Sequence, residues 1–205
     1  MKFQLNPDDG KFLVKLARET VTEYLKTKKI LEVPEGVSPI LLKKSGVFVT
    51  LNSLCDGFKR LRGCIGFPYP TTPLVQAVIE ASISASTQDP RFLPVNSQEL
   101  NKIVFEVSIL TPPELIKVDN PSDYPSRIKI GQDGLILERN YHKGLLLPQV
   151  PVECNWQTED FLCQTAMKAG LAPDVWLLKE TKIYRFQAII FEEKTPNGEI
   201  VLKRI

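Results

Sequence analysis

The chain holds a single histidine, His142, among 205 residues. That excludes a histidine-rich metal site built within one chain and removes the usual imidazole partner from most candidate nucleophiles. The four cysteines, Cys55, Cys64, Cys154 and Cys163, are too few to form a disulfide framework in a chain this long. No two of them have the C-x-x-C spacing of a zinc or redox site, and Gly-rich phosphate loops of both common kinds are absent. Neither a metal nor a cofactor is expected. No apolar run approaches 18 residues, so a membrane span is not expected. Residues 1–6 lack the apolar heart of a secretion signal, which leaves a cytoplasmic location as the default. An excess of one charge is missing too: 26 basic against 24 acidic side chains leave +2, too little to draw in nucleic acid or an anionic membrane.

What is present suits a globular protein. Hydrophobic residues make up 43% of the chain, enough for a real core, and the length fits one large domain or one domain with two lobes. Sixteen prolines fall mostly between periodic segments and stiffen the loops. A first helix is predicted from Pro7, with Asn6 as its cap and Asp8 and Asp9 at the positive dipole end. Its apolar stripe is Leu13, Leu16, Ala17, Val21 and Tyr24. Residues 46–54 and 60–66 read as two strands of a hairpin turning at Asp56-Gly57. Residues 72–87 read as a helix rich in small side chains, ended by Pro90. Residues 101–111 form the clearest strand, with Ile103, Phe105, Val107 and Ile109 on one face. An irregular linker is expected over 119–127, short strands over 128–130, 134–138 and 144–147, and a helix capped by Thr158 and closed by Gly170. A strand over 183–191 and a turn at Asn197-Gly198 into a tail strand end the chain. Irregular interleaving with prominent hairpins predicts an α+β fold with a mainly antiparallel sheet.

The most informative segment is Leu61-Arg62-Gly63-Cys64-Ile65-Gly66. Plain strand alternation puts Leu61 and Ile65 on one face, and Arg62 and Cys64 on the other. Gly63 and Gly66 carry no Cβ and admit close approach by a ligand or another segment. Cys64 beside a guanidinium reads as a nucleophile, as part of a ligand-binding pocket, or as a small buried apolar side chain, and the residues leave these open. Asp89-Pro90-Arg91-Phe92 sits where a helix ends. Arg62 and Arg91 are candidates to hold a phosphate or carboxylate, with Asp89 as orienter, or else Asp89 pairs with one of them to fix the loop. Arg62, Cys64, Asp89 and Arg91 are expected to come together in one concave site, with Gly63 closely approached by another chain segment; Gly63 and Gly66 are further candidates to bind a ligand or partner. Gln149, in the proline-bounded segment 148–151, is a further candidate to face it, or the segment is a core plug.

These residues resemble the signature of the AMMECR-type domain family, and the resemblance extends along roughly residues 10–192. Asp89-Pro90-Arg91-Phe92 with Pro94 is similar to the family's second motif, and Glu106-Val107-Ser108-Ile109-Leu110-Thr111 to its central strand. Gly131, Gly134-Leu135 and Gly144-Leu145-Leu146-Leu147-Pro148-Gln149-Val150 resemble a fourth block. Trp156, Phe161-Leu162 and Lys168-Ala169-Gly170-Leu171 resemble the next. The resemblance implies a single domain over residues 1–205. It implies a compact α+β fold with two unequal lobes around a cleft that contains the first motif, the larger lobe holding the N-terminal helix, the strand over 101–111 and the C-terminal strands. It brings no settled activity. In prokaryotes such domains are often encoded beside Memo-like and radical-SAM-type proteins, which are therefore the partners it implies.

Two functional classes follow. One is an accessory domain that binds a small anionic ligand or a partner segment around residues 61–66. The other is an enzyme using Cys64 in a modification pathway with those partners. A third, a nucleic-acid-binding regulator, rests only on the basic, aromatic turn at 139–143, and near-zero net charge argues against it.

Overall fold

The structure is a computed structural model and describes residues 5–203. The chain divides into two compact units: one runs to Leu110 and resumes at Ile189, and the other is Thr111–Ala188. Both are built on antiparallel strand pairing beside helices, an α+β fold.

In the first unit, α1 (Pro7–Thr27) starts where Asn6 accepts a hydrogen bond from the Asp9 amide at 2.7 Å, as an N-cap must. The hairpin strands are β1 (Gly46–Cys55) and β2 (Phe58–Phe67), joined through Asp56 and Gly57, both at positive φ. This is the geometry a two-residue hairpin turn needs. Helix α2 (Leu74–Thr87) follows, then a tight turn at Glu99–Lys102 and β3 (Ile103–Leu110). Val47, Val49 and Leu51 of β1 and Phe105, Val107 and Ile109 of β3 pack into one core with α1 and α2. The sequence shows only one apolar face on β3, yet the strand is buried throughout, Glu106 and Ser108 included. A buried ion pair ties α1 to the sheet: Arg18 Nε donates to Glu193 at 2.6 Å, its other nitrogens reach the Leu100 and Ile103 carbonyls, and its guanidinium lies over the Phe105 ring.

In the second unit, β4 (Glu114–Leu115) precedes α3 (Tyr124–Arg127), where the sequence suggested an irregular linker. Residues 128–130 are not a strand. The Asp133 carboxylate accepts the Lys129 amide and the Lys129 carbonyl accepts two turn amides, so these backbone groups are spent locally. Strands β5 (Gly134–Arg139) and β6 (His142–Leu146) form a hairpin, and α4 (Gln149–Glu153) follows. Helix α5 (Thr158–Lys168) is capped by Gln157, one residue earlier than expected, because Gln157 and Asp160 form a reciprocal capping box.

The strand expected over 183–191 is two strands, β7 (Lys182–Phe186) and β8 (Ala188–Glu193), in different sheets. The intervening Gln187 bonds Thr111 through both its amide and its carbonyl. With β9 (Ile200–Lys203), the sheet orders are β2-β1-β3-β8-β9 and β4-β7-β5-β6. Among the described residues no helix is long and apolar enough to cross a membrane.

Candidate functional site

Strand β2 is an outer strand of the five-stranded sheet, and the register of its pairing decides what the motif can do. Thr50 pairs with Cys64 and Leu51 with Gly63, but Asn52 pairs with Leu61. Arg62 is the extra residue of a β-bulge, and alternation restarts across it. Cys64 therefore shares a face with Leu61, while Gly63 and Ile65 share the other. The shared face expected for Arg62 and Cys64 is corrected by that one inserted residue.

Gly63 points at α2. A Cβ built there would lie 2.1 Å from the Ala85 carbonyl oxygen, so the bare glycine lets strand and helix meet. Gly66 is filled similarly, by the Phe48 ring and the Val47 carbonyl.

The turn after α2 reaches back to the same strand. Asp89 is buried, and its Oδ2 accepts the Cys64 amide at 2.9 Å. Arg91 donates through Nε and Nη2 to the Asp89 carboxylate at 2.9 and 2.7 Å, and Nη2 also reaches the Cys64 carbonyl at 3.2 Å. Two side chains thus satisfy both outward backbone groups of Cys64, the groups that an added strand would use. The Arg91 hydrogen bonds, helped by the Cys64 and Arg91 amides, hold the Asp89 carboxyl well below the usual carboxylate range.

Arg62 does not pair with Asp89. Its Nε and Nη2 meet Glu99 at 2.8 and 3.2 Å, and the guanidiniums of Arg62 and Arg91 lie 5.9 and 5.5 Å from the Phe92 ring centroid. Cys64, Asp89 and Arg91 therefore touch directly, and Arg62 joins them through Phe92. Glu99 was missed in the sequence, although Asn96-x-x-Glu99 has capping-box spacing and the two side chains do cap that turn.

The Cys64 thiol is half-buried and accepts a hydrogen bond from Thr50 Oγ1 at 3.3 Å. Burial pushes its pKa up; Thr50 and Arg91 oppose this, and the charges of Glu106 and Asp89 add to it. His142 lies in the other unit, its Nδ1 3.1 Å from the Ala169 carbonyl. Gln149 also lies there, opening α4, with its Oε1 buried and unpartnered among the described residues. Among those residues no three His, Cys, Asp or Glu side chains converge as metal ligands. A cavity of about 570 Å³ in the first unit is lined by Lys15, Glu19, Glu23, Leu31 and Asn197, among others, but by no residue of the 61–66 motif.

Comparison with known proteins matches the AMMECR1 family profile to residues 14–191. The chain belongs to the AMMECR1 family. It is 52% identical over 201 residues to Protein MJ0810 of Methanocaldococcus jannaschii, covering 98% of each chain. It is 53% identical over 202 residues to a protein of Thermococcus onnurineus, again covering 98% of each. The crystal structure of the uncharacterised protein PH0010 from Pyrococcus horikoshii matches with a TM-score of 0.93 at 51% identity, over 98% of this chain and 99% of that one. The α+β fold and the family that the resemblance implies are thus shown for this chain; the names of these relatives carry no activity.

Proposed function

We propose that this AMMECR1-family chain is an accessory domain that binds a small carboxylate or phosphate at Arg62 and Arg91, over the Phe92 ring and beside Cys64. The observation that carries the reading is the pinning of both guanidiniums. Each is held by its own carboxylate through Nε and Nη2, and the described hydrogen bonds leave Nη1 of each uncommitted. The Arg91 side chain is 53% exposed. A guanidinium already fixed in direction loses little rotamer freedom when it binds an anion. Since Glu99 and Asp89 already balance the charge, recognition rests on directed donors rather than on a net positive field, which favours small anions over polyanions. Burial raises the pKa of the half-buried thiol, which disfavours a competing negative charge there.

Thermal-shift titration with inorganic phosphate and a panel of small mono- and dicarboxylates tests this. At least one anion should raise the melting temperature, and Arg62→Ala and Arg91→Ala should each abolish the rise. A wild type that responds to none of them, or variants that respond undiminished, would remove the reading.

A further inference from the structure

Among the described residues no imidazole is hydrogen-bonded to Cys64, yet a carboxyl lies in its own row of the sheet. Thr50 of β1 is the register partner of Cys64 on β2 and of Glu106 on β3. Cross-strand partners project to the same face, so the three side chains stand side by side with Thr50 in the middle, its hydroxyl already on the Cys64 sulfur. Glu106 is 5% exposed, an expensive place for a carboxyl that does only what a surface residue would do. Two residues along β3 on the same face, the Ser108 hydroxyl is buried with no hydrogen-bond partner among the described residues. The row therefore holds a thiol, a hydroxyl that donates to it and a carboxyl, and one uncommitted hydroxyl lies in the next row of the same face.

We propose that Cys64, Thr50 and Glu106 form a thiol reaction centre in which Cys64 attacks a small electrophilic carbon and Glu106 takes its proton through the Thr50 hydroxyl. In the simplest such reaction the Sγ–carbon bond forms as the bond from carbon to the leaving group breaks. The leaving group departs with the bonding pair, and the Thr50 hydroxyl, which donates to the sulfur at rest, turns to take the thiol proton as its own proton passes to the Glu106 carboxylate. Ser108 is the free donor on the same face.

The charges around the row are consistent with this. Glu106 Oε2 receives Lys203 Nζ of β9 at 2.8 Å, and Lys203 is 3.7 Å from Glu192 of β8, which in turn meets Lys59 of β2 at 2.8 Å. Burial raises the Glu106 pKa and Lys203 opposes it, while Glu192 raises it further. A carboxyl moved upward in this way is a better proton acceptor for a thiol, and Lys203 keeps its ionised form accessible. On the sulfur side stand Arg91 and Asp89, which oppose one another.

The test is the alkylation of Cys64 by iodoacetamide, read peptide by peptide by mass spectrometry against Cys55, Cys154 and Cys163. The reagent is neutral, so the outcome is independent of anion binding at Arg62 and Arg91. The Cys64 rate should rise with pH as Glu106 ionises, ahead of the thiol's own ionisation. Glu106→Gln should slow it about a hundredfold at neutral pH, and Thr50→Val, which keeps the shape and removes the hydroxyl, should slow it similarly. The unmutated chain gives a second measure: proton transfer during attack makes the rate lower in D2O than in H2O. If Glu106 acted only through its charge, Glu106→Gln would lower the thiol pKa and speed alkylation, and that result overturns the proposal. An unchanged rate in either variant, a wild-type rate no lower in D2O, or reaction of Cys64 only after unfolding overturns it too.

Discussion

Replacing Gly63 isolates the architectural part of the motif from any chemistry. The atom that a new Cβ meets is the carbonyl oxygen of Ala85, at 2.1 Å, with its carbonyl carbon at 3.1 Å. Both belong to the backbone of α2, so no side-chain rotation relieves the clash; either the helix or β2 has to move. Strand and helix are both anchored, β2 by its register with β1 and by the Asp89–Arg91 clamp, α2 by Val75, Ala77, Val78, Ile79 and Ala81 in the core. Overpacking of this kind costs ~1–3 kcal/mol, which for a protein of this size is a fall in melting temperature of roughly 2–12 °C. Gly63 is absent from the positive-φ positions, so none of the loss comes from backbone strain, and Gly63→Ala should already carry most of it, with Gly63→Val adding the rest. Thermal and urea unfolding of the two variants measure it. A Gly63→Val protein that melts with the wild type would show that strand and helix can separate freely, and the account of this glycine would be wrong.

Three further outcomes follow from the same geometry. Because the Asp89 carboxyl is held below its ordinary range when folded, its contribution is present above about pH 4 and is lost as pH falls further. The melting-temperature gap between wild type and Asp89→Asn should therefore narrow on acidification, and a gap independent of pH would remove the ion-pair explanation. Glu193→Ala strips the partner from a buried Arg18 and should cost ~3–5 kcal/mol; a loss below about 1 kcal/mol in urea unfolding would contradict it. Glu99→Gln breaks a half-exposed pair and should cost no more than about 1 kcal/mol, while weakening any anion response that depends on Arg62 in thermal-shift titration.

Much of the fold was legible because it is written in local signals. Asn6 and Pro7 start α1, Asp56-Gly57 turns the hairpin, and the period-two run of Ile103, Phe105, Val107 and Ile109 marks β3. What escaped notice depends on partners far along the chain. The sheet change at Gln187 is invisible in an unbroken run of strand-forming residues, because it is set by Thr111, which is 76 residues away. The second buried face of β3 has polar residues in it, so alternation reads it as exposed. Glu106 lies in the strand that resembles the family's central one, and nothing in the sequence marks it as a site for the same reason: a lone carboxylate in a strand looks like its solvent side.

The bulge at Arg62 has the largest consequence for which side chains meet. Without it, Arg62 and Cys64 would face the same way, and the obvious inference would be a thiol activated by its neighbour. With it, Arg62 is turned to Glu99 and Phe92, and Cys64 is left facing Thr50 and Glu106. The guanidinium that touches Cys64 is Arg91, and it touches the backbone carbonyl. Asp89 and Arg91 thus hold the Cys64 backbone in place, and the thiol meets Thr50. A one-residue insertion separates the edge that carries Arg62, where we propose an anion binds, from the thiol-bearing face of the same strand. Variants at Arg62 and Arg91 should then alter anion binding, and variants at Thr50 and Glu106 should alter thiol reactivity, each set leaving the other property largely intact; a Glu106→Gln protein that lost its anion response while keeping its fold would show that the two are one site.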